Sequence, residues 1–167
     1  MCFSRSNPSP KYTELLNMYR DMHQKGYNRK IEDKDVFTPP HEAFPGNELP
    51  KFVEPIKNII DFTLSKSILD YGAGKGQQYN CKVKLGNGEQ IGIPQYWGID
   101  KIDLYEPAMP GMDEIGDGKY DGVISTDVLE HIPADDIYWV IEEMFELSNK
   151  FVFANIACYD AIARLPN

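Results

Sequence analysis

The sequence predicts an α/β fold with an open, mainly parallel sheet flanked by helices. Short apolar runs rich in β-branched residues alternate with helical patterns from residue 50 onward. The 167 residues, 42% of them hydrophobic, are enough to bury the core of a domain of ordinary size. Because parallel strands bind ligands at their carboxyl ends, functional residues are expected where the strands end.

Residues 1–49 are predicted to form an N-terminal helix followed by an arm or lid. The helix is expected over residues 12–25, because Gly26 provides a stop and one face is apolar. The residues of that face are Tyr12, Leu15, Leu16, Tyr19 and Met22. The stretch 28–50 is polar and rich in proline, so it is interpreted as an extended segment without regular structure.

Residues 50–167 are predicted to form the sheet and its helices, joined with the N-terminal segment in a single globular unit. The expected helices span 50–64 and 134–148, and the expected strands span 67–71, 101–106, 120–126 and 150–159. Within 81–93, Asn87-Gly88 lies between two short β-prone runs and predicts a hairpin. Trp97 is expected in the core and Cys158 is expected to be a buried thiol.

Charge and cysteine usage exclude several classes of partner. The chain has 17 basic and 26 acidic residues, and its net charge of −9 without a basic cluster argues against nucleic acid. No apolar stretch reaches the roughly 18 residues of a membrane span. The three cysteines form no CxxC pair, and no secretory signal is found. A cytoplasmic location is therefore predicted.

The stretch ILDYGAGKG, residues 68–76, places glycines at alternate positions directly after a strand. Glycine permits positive φ and lets a ligand lie against the backbone, which favours a nucleotide-sized ligand. Lys75 is followed by glycine rather than Ser or Thr, so the phosphate-binding Walker pattern fails. Gln77 stands where the dinucleotide fingerprint requires its third glycine, so that pattern fails too.

Two segments resemble class I S-adenosylmethionine-dependent methyltransferases. ILDYGAGKG is similar to motif I of that family, and residues 119–133, KYDGVISTDVLEHIP, are similar to its strand-four segment. The resemblance covers roughly residues 52–159. It implies a Rossmann-like sheet that binds S-adenosylmethionine at the tips of its first two strands.

The resemblance also implies which residues bind the cofactor: Asp70, Gly72, Ala73, Gly74, Gly76, Glu106 and Asp127. Asp70 would face the methionine ammonium, directly or through water, and Gly74 would let the ligand approach the backbone. Glu106, at the end of strand 101–106, is the preferred partner of the ribose diol. Asp100 is the alternative, because its spacing from the glycines is closer to the usual one.

Methyl transfer is an in-line displacement that depends on alignment and desolvation, sometimes with a general base. The candidate catalytic residues are Asp127, Glu130 and His131, and the imidazole is the favoured base because histidine titrates near neutrality. Alternatively, His131 orders the turn before Pro133. The same three residues resemble a segment that holds a divalent metal in some methyltransferases, but no downstream histidine completes the set, so no metal is assigned.

The resulting expectation is a methyltransferase that uses S-adenosylmethionine and a small-molecule acceptor. The alternatives are another use of the same cofactor, by cleavage or aminopropyl transfer, and a non-catalytic module that binds cofactor or partner. Residues 12–48 are expected to cover the carboxyl ends of the first and fourth strands. The strand pair that ends a full fold of this family is expected to be absent, with an oligomer or partner covering the open sheet edge.

Overall fold

The computed structural model describes residues 3–31 and 34–158. Its helices include α1 (Pro10–Lys25), α2 (Val53–Thr63), α3 (Ile93–Trp97) and α4 (Ile137–Leu147). Its strands include β1 (Tyr27–Ile31), β2 (Lys34–Thr38), β3 (Ser67–Tyr71), β4 (Lys82–Lys84), β5 (Gln90–Gly92), β6 (Lys101–Tyr105), β7 (Tyr120–Thr126) and β8 (Ser148–Asn155). Short 3-10 turns lie at Pro40–Glu42, Leu49–Phe52, Gln77–Asn80 and Leu129–His131.

The central sheet has four strands in the order β6, β3, β7, β8, and all of its strand pairs are parallel. In the register, Ile68 of β3 lies opposite Ile102 of β6 on one side and Gly122 of β7 on the other. This confirms the predicted parallel α/β sheet. Strands β3 and β7 lie inside the sheet, and each has two adjacent buried aliphatic residues at its centre, Ile68 and Leu69 in β3 and Val123 and Ile124 in β7.

Hydrophobic residues pack on both faces of the sheet. Successive strand residues point to opposite faces, so Ile68 packs with one core cluster and Leu69 with the other. The first cluster includes Ile56 and Ile60 of α2 and Trp97 of α3, and the second includes Val140 and Met144 of α4. Helices therefore flank the sheet on both sides, as the sequence pattern predicts.

The stretch 28–50 was predicted to lack regular structure, and this prediction is wrong. Strands β1 and β2 form an antiparallel pair in which Tyr27 lies opposite Thr38 and Arg29 lies opposite Val36. Residues 34–37 are exposed and only Thr38 of β2 is buried, so this strand lies at the surface of the protein. A ladder of backbone hydrogen bonds forms regardless of side-chain polarity, which explains why composition alone was misleading here.

Several smaller expectations can be compared with the structure. The hairpin around Asn87-Gly88 is confirmed, because β4 and β5 pair antiparallel on either side of it. Trp97 is confirmed as a core residue, and its indole N–H donates to the Val53 carbonyl at 3.0 Å.

Cys158 is exposed, so the prediction that its thiol is buried is wrong. Strand β8 ends at Asn155, before the cysteine. Residue 159, the predicted end of that strand, lies outside the described residues.

Other differences concern helix limits and connections. Helix α1 begins at Pro10, two residues earlier than predicted, because the Ser9 hydroxyl caps it. Helix α3 was not predicted; its five residues are too few for a helical pattern. In the described parts of the chain, no helix is long and apolar enough to cross a membrane.

Gly122 allows β7 to pack closely in the middle of the sheet. A Cβ atom at this position would lie 2.4 Å from Phe151 Cε1 and 2.9 Å from Ile68 Cδ1. We therefore expect Gly122→Ala to lower the free energy of unfolding by about 1–3 kcal/mol, the usual cost of overpacking, in urea denaturation. Gly86→Ala is the matched control, because no atom lies within 4 Å of its added Cβ. Equal stability of the two variants would contradict this packing.

Candidate functional site

A cavity of about 430 Å³ lies at the carboxyl ends of β3, β6 and β7, within the size range of small-molecule sites. Its inner wall includes Tyr71, Gly72, Gly74, Glu106 and Asp127, which follow or end those strands. The N-terminal segment supplies the other wall through α1, the β1–β2 pair and residues 42–48. Strand ends and N-terminal segment thus enclose the cavity together.

Helix α1 is fixed to α4 by a buried carboxylate. Asp136 Oδ1 accepts the Ser9 N–H at 2.9 Å and the Trp139 indole N–H at 2.8 Å. The Ser9 hydroxyl in turn accepts the Tyr12 N–H at 3.0 Å, which caps α1. The rings of Tyr12 and Trp139 meet edge to face at 5.3 Å. These contacts set the start of the helix that borders the cavity.

Phe44 connects the N-terminal segment to the glycine loop, residues 72–76. Its carbonyl accepts the Lys75 N–H at 2.9 Å, although its own φ of 49° is unusual for a residue with a side chain. Its ring stacks on Tyr27 at 5.5 Å and contacts Tyr19 at 5.3 Å and His23 at 5.1 Å. An aromatic cluster thus surrounds the point where the two walls of the cavity meet.

The backbone N–H groups of the glycine loop all donate to acceptors of the protein. Gly72 and Ala73 both donate to the Tyr105 carbonyl, at 2.8 and 3.0 Å. Gly74 donates to Glu106 Oε2 at 3.1 Å, and Lys75 donates to the Phe44 carbonyl at 2.9 Å. Gly76 donates to the Ala73 carbonyl at 3.0 Å, within the loop. Phosphate-binding loops instead direct free N–H groups at the anion. This loop therefore has no preformed phosphate cradle.

Close protein contacts lie where the Cβ atoms of the loop glycines would be. A Cβ atom at Gly74 would lie 2.4 Å from the Phe44 carbonyl oxygen, and φ is +55° there. Added Cβ atoms at Gly72 and Gly76 would each lie 2.5 Å from a side chain of the protein. The missing side chain of Gly74 therefore makes room for residue 44, a requirement that the sequence did not indicate. Gly72 and Gly74 line the cavity, whereas Ala73 and Gly76 do not.

Glu106 lies at the inner wall of the cavity. Its carboxylate accepts the Gly74 and Ala108 N–H groups, each at 3.1 Å. Burial raises the pKa of Glu106 above its usual value, although the two amides and Lys75 favour the ionised form. Asp100 immediately precedes β6, where its N–H donates to the Lys66 carbonyl. Of the two ribose-binding candidates, only Glu106 lines the cavity.

Asp70 is buried beneath the glycine loop and does not line the cavity. Its Oδ2 accepts the Tyr79 hydroxyl at 2.8 Å and the Gln78 side-chain N–H at 3.1 Å. Gln78 also donates to the Ala73 carbonyl at 3.2 Å, so Asp70 supports the loop through this side chain. Burial raises the pKa of Asp70 to about 6. The expectation that Asp70 faces a ligand is thus corrected: its carboxylate is turned toward residues 78 and 79.

Asp127 and His131 both line the cavity. Asp127 has a φ of 60°, and its pKa is raised by burial and by the neighbouring Glu130 carboxylate. Glu130 is not part of the lining, and its carboxylate accepts the Ala157 N–H. The His131 ring lies 6.2 Å from the ring of Tyr19. No group of three His, Cys, Asp or Glu side chains suited to a metal ion occurs among the described residues.

Residues 12–48 were expected to cover the strand ends, but the sequence did not indicate which of residues 23–44 form the cavity wall. His23, Arg29, Thr38 and Phe44 all line the cavity. His23 is buried with its Nδ1 3.2 Å from Lys75 Nζ, and burial together with the lysine lowers its pKa to about 4. The alternation of β1 could have indicated this wall, but the polar composition obscured it.

The comparisons with known proteins identify no relative. No protein-family model matches the chain, and no match was found among curated proteins or solved structures. Functional assignment therefore depends on the motifs and on the geometry of the cavity.

The buried His23 makes stability depend on pH. Its folded pKa of about 4 lies below the ordinary value of 6.5, so between these values the unfolded chain binds more protons. Stability from this group is therefore complete above pH 6.5 and is lost as the pH falls toward 4. We expect wild type to lose on the order of 1 kcal/mol more than His23→Gln between pH 7 and 4.5.

The measurement is urea denaturation of both proteins across that pH range. Asp70 acts in the opposite direction, since its raised pKa of about 6 makes the folded chain bind more protons below that pH. Its effect is present in both proteins and cancels in the comparison. Identical pH slopes for wild type and variant would contradict the buried, neutral state of His23.

Proposed function

We propose that this protein is an S-adenosylmethionine-dependent methyltransferase with a Rossmann-like fold that acts on a small-molecule acceptor. The observation that carries the proposal is that Gly72 and Gly74 of the glycine loop line a single cavity at the strand ends, together with Glu106 and Asp127. The parallel sheet is compatible with this fold, and the segments 68–76 and 119–133 resemble that family. The first expectation from sequence thus remains the best account of the site.

The chemistry of the lining fits a cationic, diol-bearing ligand better than a phosphorylated one. The loop amides are already occupied, so a phosphate would find no free N–H groups there. Carboxylates are available from Glu106 and Asp127, and the lining also includes the aromatic side chains of Tyr19, Tyr27 and Tyr71. Carboxylates and aromatic faces both favour cations such as a sulfonium or an ammonium group.

Glu106 is the residue that would bind the ribose diol. Two backbone N–H groups hold its carboxylate in place, and each ionised oxygen can accept more than one hydrogen bond. Asp127 would bind the ammonium of the amino-acid end. Asp70 would act only indirectly, by holding Gln78 and the loop in position.

S-adenosylmethionine, when bound, supplies a methyl group on a sulfonium centre that is open to in-line displacement. The protein's part is to align the acceptor and to exclude water. Helix α1 and Phe44 enclose the cavity from the N-terminal side, which serves the second purpose. His131 lies in the cavity wall, where its imidazole can take the proton that the acceptor loses.

The first test of this function is calorimetry with S-adenosylhomocysteine. Glu106→Gln removes the charge while keeping the shape, and hydrogen bonds to a charged group are each worth about 1.5–3 kcal/mol. We expect the affinity to fall at least tenfold. Asp100→Asn is the matched control, and it should bind as wild type does because Asp100 is absent from the lining. A loss confined to the Asp100 variant would refute the assignment of the ribose-binding acid.

Hydrogen exchange provides a test of the N-terminal wall. If residues 12–48 close over bound cofactor, S-adenosylhomocysteine should slow amide exchange between Phe37 and Phe44. The β4–β5 hairpin, whose strands are absent from the cavity lining, is the internal reference. Unchanged exchange at 37–44 under saturating ligand would show that this segment only packs against the sheet.

A further inference from the structure

One face of the β1–β2 pair forms part of the cavity wall. Tyr27 lies opposite Thr38 in the register, and Arg29 follows Tyr27 on the same face because side chains alternate along a strand. All three residues line the cavity. Arg29 and Thr38 are diagonal neighbours on this face, at about 7–8 Å, a separation that an arginine side chain can span.

Both side chains have a buried polar atom without a partner. Thr38 is only 5% exposed, and its hydroxyl makes no hydrogen bond within the described structure. Arg29 Nε is buried and likewise has no hydrogen-bond partner there. Buried polar groups are almost always paired, so these two unpaired donors in the same cavity wall are available to the acceptor group of a ligand.

The charge of Arg29 is also uncompensated by the carboxylates of the cavity wall. Glu48 pairs with Lys51 at 2.6 Å, and Glu42 lies 3.4 Å from His41. Glu106 accepts two backbone N–H groups. Among the described residues, no carboxylate forms an ion pair with Arg29. A planar guanidinium binds a carboxylate through parallel N–H donors, and the hydroxyl on the same face is a further donor within reach of such a group.

We propose that Arg29 and Thr38 form a carboxylate-binding subsite, and that the methyl acceptor is a small carboxylic acid held there. The second part rests on the proposed function. A carboxylate could also come from the amino-acid end of the cofactor. The acceptor is the assigned source because the subsite lies on the N-terminal wall, whereas Glu106 and the glycine loop lie on the wall formed by the strand ends.

The subsite can be tested on the full chain without cofactor. The probes are benzoate, phenylacetate, hexanoate and succinate, each compared with its primary amide by amide chemical-shift titration. We expect at least one carboxylate to bind tenfold or more tightly than its amide. Arg29→Met should remove that preference. A panel in which no carboxylate shows binding that depends on Arg29 would overturn the proposal.

Two further variants separate a local contact from general effects. Lys30→Met removes the same charge from the adjacent, exposed residue of β1, on the opposite face, and should leave carboxylate binding unchanged. Thr38→Val removes only the unpaired hydroxyl, so it should weaken carboxylate binding a few-fold while thermal stability stays the same or rises. Equal losses of carboxylate binding in the Lys30 and Arg29 variants would show that the effect comes from net charge and not from a local contact. A destabilised Thr38→Val would assign the hydroxyl a structural role.

The source of the carboxylate is decided by a second titration. S-adenosylhomocysteine is compared with 5′-(3-aminopropylthio)-5′-deoxyadenosine, which lacks only its carboxyl group. We expect Arg29→Met to leave both affinities unchanged. A loss for S-adenosylhomocysteine alone would place the cofactor's carboxylate at Arg29 and overturn the acceptor assignment. If neither adenosine compound binds while carboxylates do, the proposed function fails and the subsite stands.

Discussion

The contact between Phe44 and the glycine loop joins the two walls of the cavity. The Lys75 N–H donates to the Phe44 carbonyl at 2.9 Å, and this is possible only because Gly74 has no Cβ atom. Phe44 has a positive φ in this contact, and its ring packs against the rings of Tyr19, His23 and Tyr27. The conformational cost of this residue is thus offset by a hydrogen bond and by aromatic packing. Together with the attachment of Ser9 to Asp136, this contact holds the N-terminal segment over the strand ends.

The same contact limits the hydrogen-bond donors that the loop can present to a ligand. It occupies one of the loop amides, and Glu106 and the carbonyl of Tyr105 occupy others, so the loop presents no free donors for an anion. The strand ends instead present the side chains of Glu106 and Asp127, both carboxylates, to the cavity. The glycine loop therefore belongs to a surface suited to cationic and hydroxyl groups, which agrees with the failure of both phosphate-binding patterns in its sequence.

The inner strands of the sheet could be predicted because the pattern of apolar residues within each strand is enough to identify it. Residues 67–71 and 120–126 are buried apolar runs, and the structure gives β3 and β7 those same bounds. The N-terminal wall was not predictable in the same way. Its strands are polar, and the role of Gly74 depends on Phe44, a residue 30 positions away that no local pattern connects to it. Likewise, Arg29 and Thr38 become a pair only through the antiparallel register.

The two walls of the cavity differ in how they are held. The strand ends belong to a continuous sheet, whereas the N-terminal wall is tied down at Ser9 by Asp136 and at Phe44 by the loop. A ligand that touches both walls stabilises their closed arrangement, because it binds this arrangement more tightly than one in which the walls have separated. A cofactor at Glu106 and an acceptor held at Arg29 would together connect the two walls through their contact with each other, so each should strengthen the binding of the other. This coupling would exclude water from the cavity only when both reactants are present.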